Sequence, residues 1–286
     1  MLGLAGRGKV LSMNVRGFAV VLAGLYGGLL ASGQTGPTQQ DIEARLQGPF
    51  VLLRGMWDCN SLHFDEQGNL MGSCDAGSLS LSAVIVKSVR LNDRKLEIKG
   101  DRAGLEFARG PTADSPETVS AVPVDRITIN IARDWQHPDA LGAAVAKVFS
   151  PGFDDAFADQ APVYWQRWLR HEIHPNFRLM SAPVGVFQLE RANAAQQGVT
   201  PPRLLHVINP SFTDEARRRK FQGMVILGLI VDASGEPRDV YIVHPVGMGL
   251  DEMAVAAARH YDFTPAARNG EPVPVMINIE VNFRIY

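Results

Sequence analysis

His171 and His174 stand three residues apart, with Glu172 directly after the first. A zinc-peptidase helix instead sets two His four apart around that Glu, which puts both imidazoles and the general base on one face. At a spacing of three, with no third ligand evident, the pair predicts no metal site. Asp154, Asp155, Asp159 and Glu172 are the carboxylates an acid–base mechanism would draw on, with His171 and His174 as bases. No two of them have a diagnostic spacing, so the expectation is a protein that is not an enzyme and uses no cofactor. The last 39 residues, Met248 to Tyr286, contain no Cys, no Ser/His pair and no Gly-rich phosphate loop.

Cys59 and Cys74 are the two cysteines of the chain. Between them, Leu62, Phe64 and Leu70 have strand character, and Asp65-Glu66-Gln67-Gly68-Asn69 reads as a turn with Gly at the left-handed position. The midpoint of the two cysteines falls inside that turn, so folding there sets them opposite each other. In an oxidising compartment the expectation is a disulfide closing a loop worth about 3 kcal/mol. Two free thiols or a redox pair are the alternatives; a metal site lacks ligands, since only His63 is near.

The compartment is read from the N-terminus. Arg7, Lys9 and Arg16 precede an apolar run of 15 residues, Gly17 to Ala31, followed by small residues up to Gly33. That is shorter than the roughly 20 residues of a membrane span and fits a signal-peptide core, with Met13 a possible start. An uncleaved inner-membrane anchor is the alternative; both readings export the rest of the chain. The composition is that of a globular protein, 46 % hydrophobic and 20 % charged, with a formal net charge of -2. Such a balance predicts no attraction to nucleic acid or to an anionic membrane. Arg217-Arg218-Arg219-Lys220 reads as a solvated helix face.

The elements that follow predict an α+β chain: 1–33 signal peptide or anchor, 34–48 lead-in, 49–195 a mostly β domain with helices, 196–205 linker, and 206–286 a C-terminal domain. In the first domain, strands are expected over Pro49–Asp58, Ser78–Leu91, Arg94–Gly100 and Gly104–Gly110, with Asn92-Asp93 turning a hairpin. Ile127, Ile129 and Ile131 alternate on one strand face; Leu141, Val145 and Val148 have helical spacing. Tyr164, Trp165, Trp168 and Leu169 form an aromatic helix face suited to a core or a domain contact. A short strand is expected over Val186–Leu189, and Pro201-Pro202 marks the linker.

The C-terminal domain is the most sharply patterned part. Ser211 or Thr213 caps a short helix that Gly223 ends; two strands flank the turn Ala233-Ser234-Gly235-Glu236; a second helix runs Leu250 to Tyr261. From Val273 to Ile285 every second residue is apolar, which predicts one long strand with a buried and a wet face. The order helix–strand–strand–helix–strand predicts a three-stranded antiparallel sheet with two helices on one side.

These blocks carry a resemblance. Pro210…Ala216-Arg217…Gly223-x-Val225, Val231-Asp232-x-x-Gly235, Gly249-Leu250-Asp251…Ala254 and Phe263-x-Pro265-Ala266…Gly270-x-Pro272-Val273 resemble the TonB C-terminal domain, over about residues 200–286. The stretch from Leu52 to Phe107 is also similar, more weakly, to the leading domain of some TonB-family proteins. The resemblance implies a periplasmic module that grips the TonB box, a short extended segment of an outer-membrane transporter, by strand addition. The expected partner-binding residues lie on the last strand: Val273, Val275, Met276, Ile277, Asn278, Ile279, Glu280, Val281 and Phe283, with Met276, Asn278 and Glu280 tuning the choice of peptide. The rival role for that strand is pairing with its own copy in a homodimer, as part of an exported scaffold. The chain departs from a full energy transducer in two ways: its apolar run contains no His, and a folded domain stands where the family has a Pro-rich spacer. Coupling to a proton-driven motor is therefore not expected from these residues.

Overall fold

The computed structural model describes residues 11–14, 36–109, 117–189 and 197–285. The run Gly17 to Ala31 lies outside them, and among the described residues no helix is long and apolar enough to cross a membrane. The chain divides into two compact units, residues 1–160 and 161–286. The division falls well before the linker expected at 196–205, because the aromatic helix at 163–173 packs with the C-terminal elements.

In the first unit, β1 (Leu11–Asn14), β2 (Val51–Leu53), β3 (Ser61–Phe64), β4 (Ala83–Leu91), β5 (Lys95–Ala108), β6 (Thr118–Ala132) and β7 (Phe149–Ser150) form one sheet, with helices α1 (Gln39–Arg45), α2 (Ala140–Val148) and α3 (Asp155–Gln160). The order is β1-β6-β5-β4-β2-β7, with β3 added parallel to β6. The hairpin at Asn92-Asp93 forms as its residues predict: the Asn92 side chain accepts from the amides of Arg94 and Lys95 at 2.9 Å each, and Leu91 pairs Leu96 across it. Two strands expected over 94–110 are one. β5 runs through 14 residues, and a register shift between Arg102 and Ala103 absorbs the irregularity opposite Pro123. Ile127, Ile129 and Ile131 point into the core with Leu62, Phe64, Leu96, Ile98, Leu141, Val145 and Val148.

Cys59 and Cys74 are joined as a disulfide. The turn between them is held by Asp65, whose carboxylate accepts from the amides of Gln67 and Asn69, with Gly68 at φ 76°. Bridges Trp57–Ala76 and Phe64–Leu70 share the centre that the cysteine midpoint marks. β3 then takes its main partner from β6, a pairing between residues 67 apart in the chain that no local pattern announces. Reducing the bond is expected to cost the first unit about 3 kcal/mol. Denaturant unfolding with and without dithiothreitol, and of Cys59→Ser/Cys74→Ser, measures it.

In the second unit, α4 (Val163–Ile173) is followed by β8 (Phe187–Gln188), β9 (Val199–Thr200), β10 (Arg203–His206), α5 (Asp214–Arg219), β11 (Gly223–Val231), β12 (Pro237–His244), α6 (Leu250–Ala258), β13 (Asp262–Thr264), β14 (Ala266–Arg268), β15 (Glu271–Val273) and β16 (Val275–Phe283). The main sheet has four strands in the order β12-β11-β16-β8, one more than the sequence predicts. β11, β12 and β16 are antiparallel, and β8 lies parallel to β16. The described part of the expected linker is folded: β9 pairs β14, and β10 pairs β13.

Thr213 caps α5 by accepting from the Ala216 amide, and its hydroxyl donates to the Met248 carbonyl at 2.7 Å, which ties α5 to the loop before α6. Phe212 meets Phe283 edge-on, with ring centroids 5.3 Å apart. Val225, Leu227, Leu229, Val231, Ile242, Val275, Val281 and Phe283 are among the buried residues of this sheet face.

The other face is not left to water, contrary to the sequence expectation. Ile230, Tyr241, Val243 and Met276 form a second core, covered by Leu179, Ala182 and Val186. Tyr241 lies flat over Gly228, where a Cβ would fall 2.3 Å from its ring. The α4 helix packs on β12: Arg167 stacks on Tyr241 at 4.4 Å, and Trp165 Nε1 donates to Glu252 of α6 at 2.8 Å. Trp165, Trp168 and Leu169 are fully buried, so the aromatic band is core. Burial, with the nearby Glu252 charge, pushes the Tyr164 phenol up to about 12.

The β11–β12 turn rests on Asp232. Its carboxylate accepts from the Ser234 and Glu236 amides, the Ser234 hydroxyl and Arg238 Nε. These bonds, led by the Ser234 hydroxyl, hold its pKa far below the usual carboxylate range. A depressed carboxyl contributes stability above its unfolded value of about 3.9 and loses it as pH falls through the folded one. Asp232→Ala is therefore expected to lower Tm at pH 7 and to lose that deficit in strong acid. Thermal melts at both ends of the range check it.

Candidate functional site

Pro274 divides the closing run. It carries no amide hydrogen, and the run breaks there into β15, which pairs β14, and β16, which pairs β11 and β8. Val273 therefore lies in β15, paired with Ala266 rather than on the edge of the main sheet. Val275 and Met276 do lie on β16, but β8 covers them: the Phe187 amide donates to the Pro274 carbonyl at 3.1 Å, and the Leu189 amide to the Met276 carbonyl at 2.9 Å. Met276 is fully buried, so it cannot meet a peptide as expected. It packs under Tyr241, whose hydroxyl donates to its sulfur at 3.3 Å.

The remaining residues behave differently. In an antiparallel strand the two backbone groups of a residue point the same way, and successive residues alternate. The carbonyls of Pro274 and Met276 face β8, so Asn278, Glu280 and Asn282 face that outer side too. Ile277, Ile279, Val281 and Phe283 turn their N–H and C=O inward to β11, opposite Leu229, Leu227, Val225 and Gly223. Among the described residues no strand pairs with the outer side beyond Met276. Asn278, Glu280 and Asn282 are exposed, and Ile277 and Ile279 are half-buried. The open ladder is thus three outward residues long, with three amide donors and three carbonyl acceptors. A side-chain contact sits at its near end, where Asn278 Nδ2 meets Met180 Sδ at 3.3 Å.

Several other candidates lead nowhere. His171 Nδ1 is 2.8 Å from the Phe177 carbonyl, and His174 sits in the exposed turn beyond α4. Asp154 is clamped by Arg54 at 2.7 and 3.0 Å; burial raises its pKa, but Arg54, the Phe157 amide and Ser150 together hold it below the usual value. Among the described residues the single group spaced to hold a cation is Asp58 with Cys59 and Cys74, whose sulfurs are bonded to each other. The basic run is partly engaged within its own helix, Arg218 with Glu215 at 3.0 Å and Arg217 with Asp214 at 3.5 Å.

A functional element that sequence reasoning did not place is the anchor of α6. The Asp251 carboxylate, fully buried, accepts from the amides of Val246 at 2.7 Å and Gly247 at 2.9 Å. It fastens a loop in which Gly247, Met248 and Gly249 all have positive φ. Burial, with the neighbouring Glu252 charge, pushes its pKa well up. The signal was present: an Asp at the second helical position after Gly-x-Gly, where the amides of the incoming turn lack partners.

Residues 208–285 match the family model described as the Gram-negative bacterial TonB protein C-terminal. Over 82 residues the chain is 31 % identical to Protein tonB2 of Pseudomonas aeruginosa, covering 28 % of this chain and 30 % of that one. Over 107 residues it is 27 % identical to Protein TonB of Vibrio cholerae, covering 34 % of this chain and 44 % of that one. The chain thus spans less than half the length of these curated relatives, and residues 208–285 lie within the unit that carries the open strand edge. Residues 208–285 thus fall in the TonB C-terminal family.

Proposed function

We propose that this is a non-enzymatic, exported protein of the periplasm that binds an extended segment of an outer-membrane TonB-dependent transporter by adding it as a strand beside β16. The observation that carries the reading is the outer side of Asn278, Glu280 and Asn282, exposed and unpaired with any described strand. An edge of this kind is a template for a foreign backbone. The family match supplies the partner class.

The open length limits the ligand. Three outward residues pair a core of about five peptide residues, since only alternate positions bond. Side chains of that peptide fall alternately beside Ile277 and Ile279, which favours apolar residues, and beside Asn278 and Glu280, which favours polar or cationic ones. The partner-binding set is therefore Ile277, Asn278, Ile279, Glu280 and Asn282, with Val281 and Phe283 as the packed floor. The disulfide of the first unit suits an oxidising compartment.

The test is binding of synthetic peptides from the N-terminal segments of outer-membrane transporters, measured by fluorescence anisotropy against the wild-type chain and a chain with the edge blocked by Glu280→Pro. The reading predicts a Kd that the edge block raises at least tenfold. Equal binding by both chains sinks it. A concentration-dependent mass with no peptide binding assigns the edge instead to a second copy of the chain.

A further inference from the structure

We propose that the pocket walled by Arg167, Phe177, Arg178, Leu179 and Ser181 is a separate ligand site, for a carboxylic acid with an apolar body. The hollow is open to solvent along the exposed Arg178 and Ser181 and measures about 340 Å³, the small end of the range for small-molecule sites. Its polar groups are two guanidinium ions and one hydroxyl. Among the described residues, neither Arg167 nor Arg178 forms an ion pair with a carboxylate. Two like charges on one concave surface concentrate positive potential there.

Three of the wall residues are fixed by neighbouring contacts. Arg167 projects from α4 and is oriented by its stacking on Tyr241. The turn after α4 is closed by the Phe177 amide donating to the His174 carbonyl at 2.8 Å, with His171 Nδ1 against the Phe177 carbonyl. Leu179 is held by the Ile230, Tyr241, Val243 and Met276 core. A guanidinium matches a carboxylate through two parallel N–H bonds. Phe177 and Leu179 then select a ligand with a carbon body over an inorganic anion. Nothing in the strand-edge reading uses these residues.

That chemistry comes from two sources: a free small acid, or the C-terminal carboxylate of a polypeptide ending in an apolar residue. The full chain is titrated with N-acetylphenylalanine, and amide shifts of Phe177, Leu179 and Ser181 are followed by NMR. Saturable shifts are expected with the acid and none with its primary amide. Arg178→Gln, an exposed position that leaves the core intact, is expected to weaken binding about tenfold or more. Arg167→Lys keeps the charge but not the fork and is expected to weaken it as well, with Tm reporting any loss of fold. Glu280→Pro is expected to change nothing, which separates this site from the strand edge. A hexa-alanine peptide ended by phenylalanine is compared with the free acid; the tighter ligand names the source. Equal shifts with acid and amide, or undiminished binding by Arg178→Gln, overturn the proposal.

Discussion

Glu280→Pro is expected to abolish peptide capture while leaving the second unit folded. The Glu280 amide faces away from β11, so proline there removes no internal bond, and edge strands tolerate proline on their outer side. For an incoming strand the change is severe. The central donor of the open ladder disappears, and the ring projects into the path of the partner backbone. One lost bond is worth about 1 kcal/mol, and the obstructed approach adds to it, so binding is expected to fall at least tenfold. Glu280→Ala, which keeps the amide, is expected to bind within about threefold of wild type. The Tm of Glu280→Pro is expected to drop by about 8 °C at most. Its neighbour gives the opposite result. Ile279→Pro removes an inward bond to Leu227 and is expected to unfold the unit. Anisotropy and thermal melts of the three variants separate loss of the edge from loss of the sheet. If Glu280→Pro binds as wild type does, strand addition at β16 is wrong.

Asp251→Ala is the variant expected to damage stability most. Alanine leaves two buried amides, Val246 and Gly247, without their acceptor. At about 1–3 kcal/mol for each unsatisfied group, the loss is about 2–6 kcal/mol, a large share of a domain's total. Asp251→Asn keeps one oxygen and is expected to lose less. The pH dependence follows from the raised pKa. The folded state holds the Asp251 proton more tightly than the unfolded state, whose value is about 3.9. The contribution is fully present below that value and is lost as pH rises through the folded pKa. Asp232 runs the other way, so a wild-type profile mixes the two signs. The difference between wild type and Asp251→Asn isolates the first: wild type is expected to lose stability relative to the variant on going from pH 4 upward. Urea melts at several pH values give this difference, and a flat one removes the assignment.

Local chemistry alone determined a good deal of this protein. The turns at Asp65–Asn69, Asn92-Asp93 and Asp232–Glu236, the cap at Thr213, the helix after Gly249 and the pairing of Cys59 with Cys74 all rest on contacts within a few residues, or on symmetry about a single turn. The alternation from Val275 to Phe283 placed the last strand and its inward face, because a side chain's direction in a strand is set by parity. What lay beyond the sequence was every decision between distant segments. Val186–Leu189 has the pattern of a strand, but its parallel pairing with β16 involves no connecting turn and leaves no local mark. That pairing, with the break at Pro274, shortened the usable edge from the nine proposed residues to the stretch after Met276. The aromatic helix at 163–173 belongs with the C-terminal elements because Trp165 finds Glu252 and Arg167 finds Tyr241, contacts across more than 70 residues. Burial of Met276 was likewise illegible, since an apolar residue on a nominally polar face becomes core only when another segment covers it. Parity is a property of the chain; coverage is a property of the fold, and the open edge of β16 depends on both.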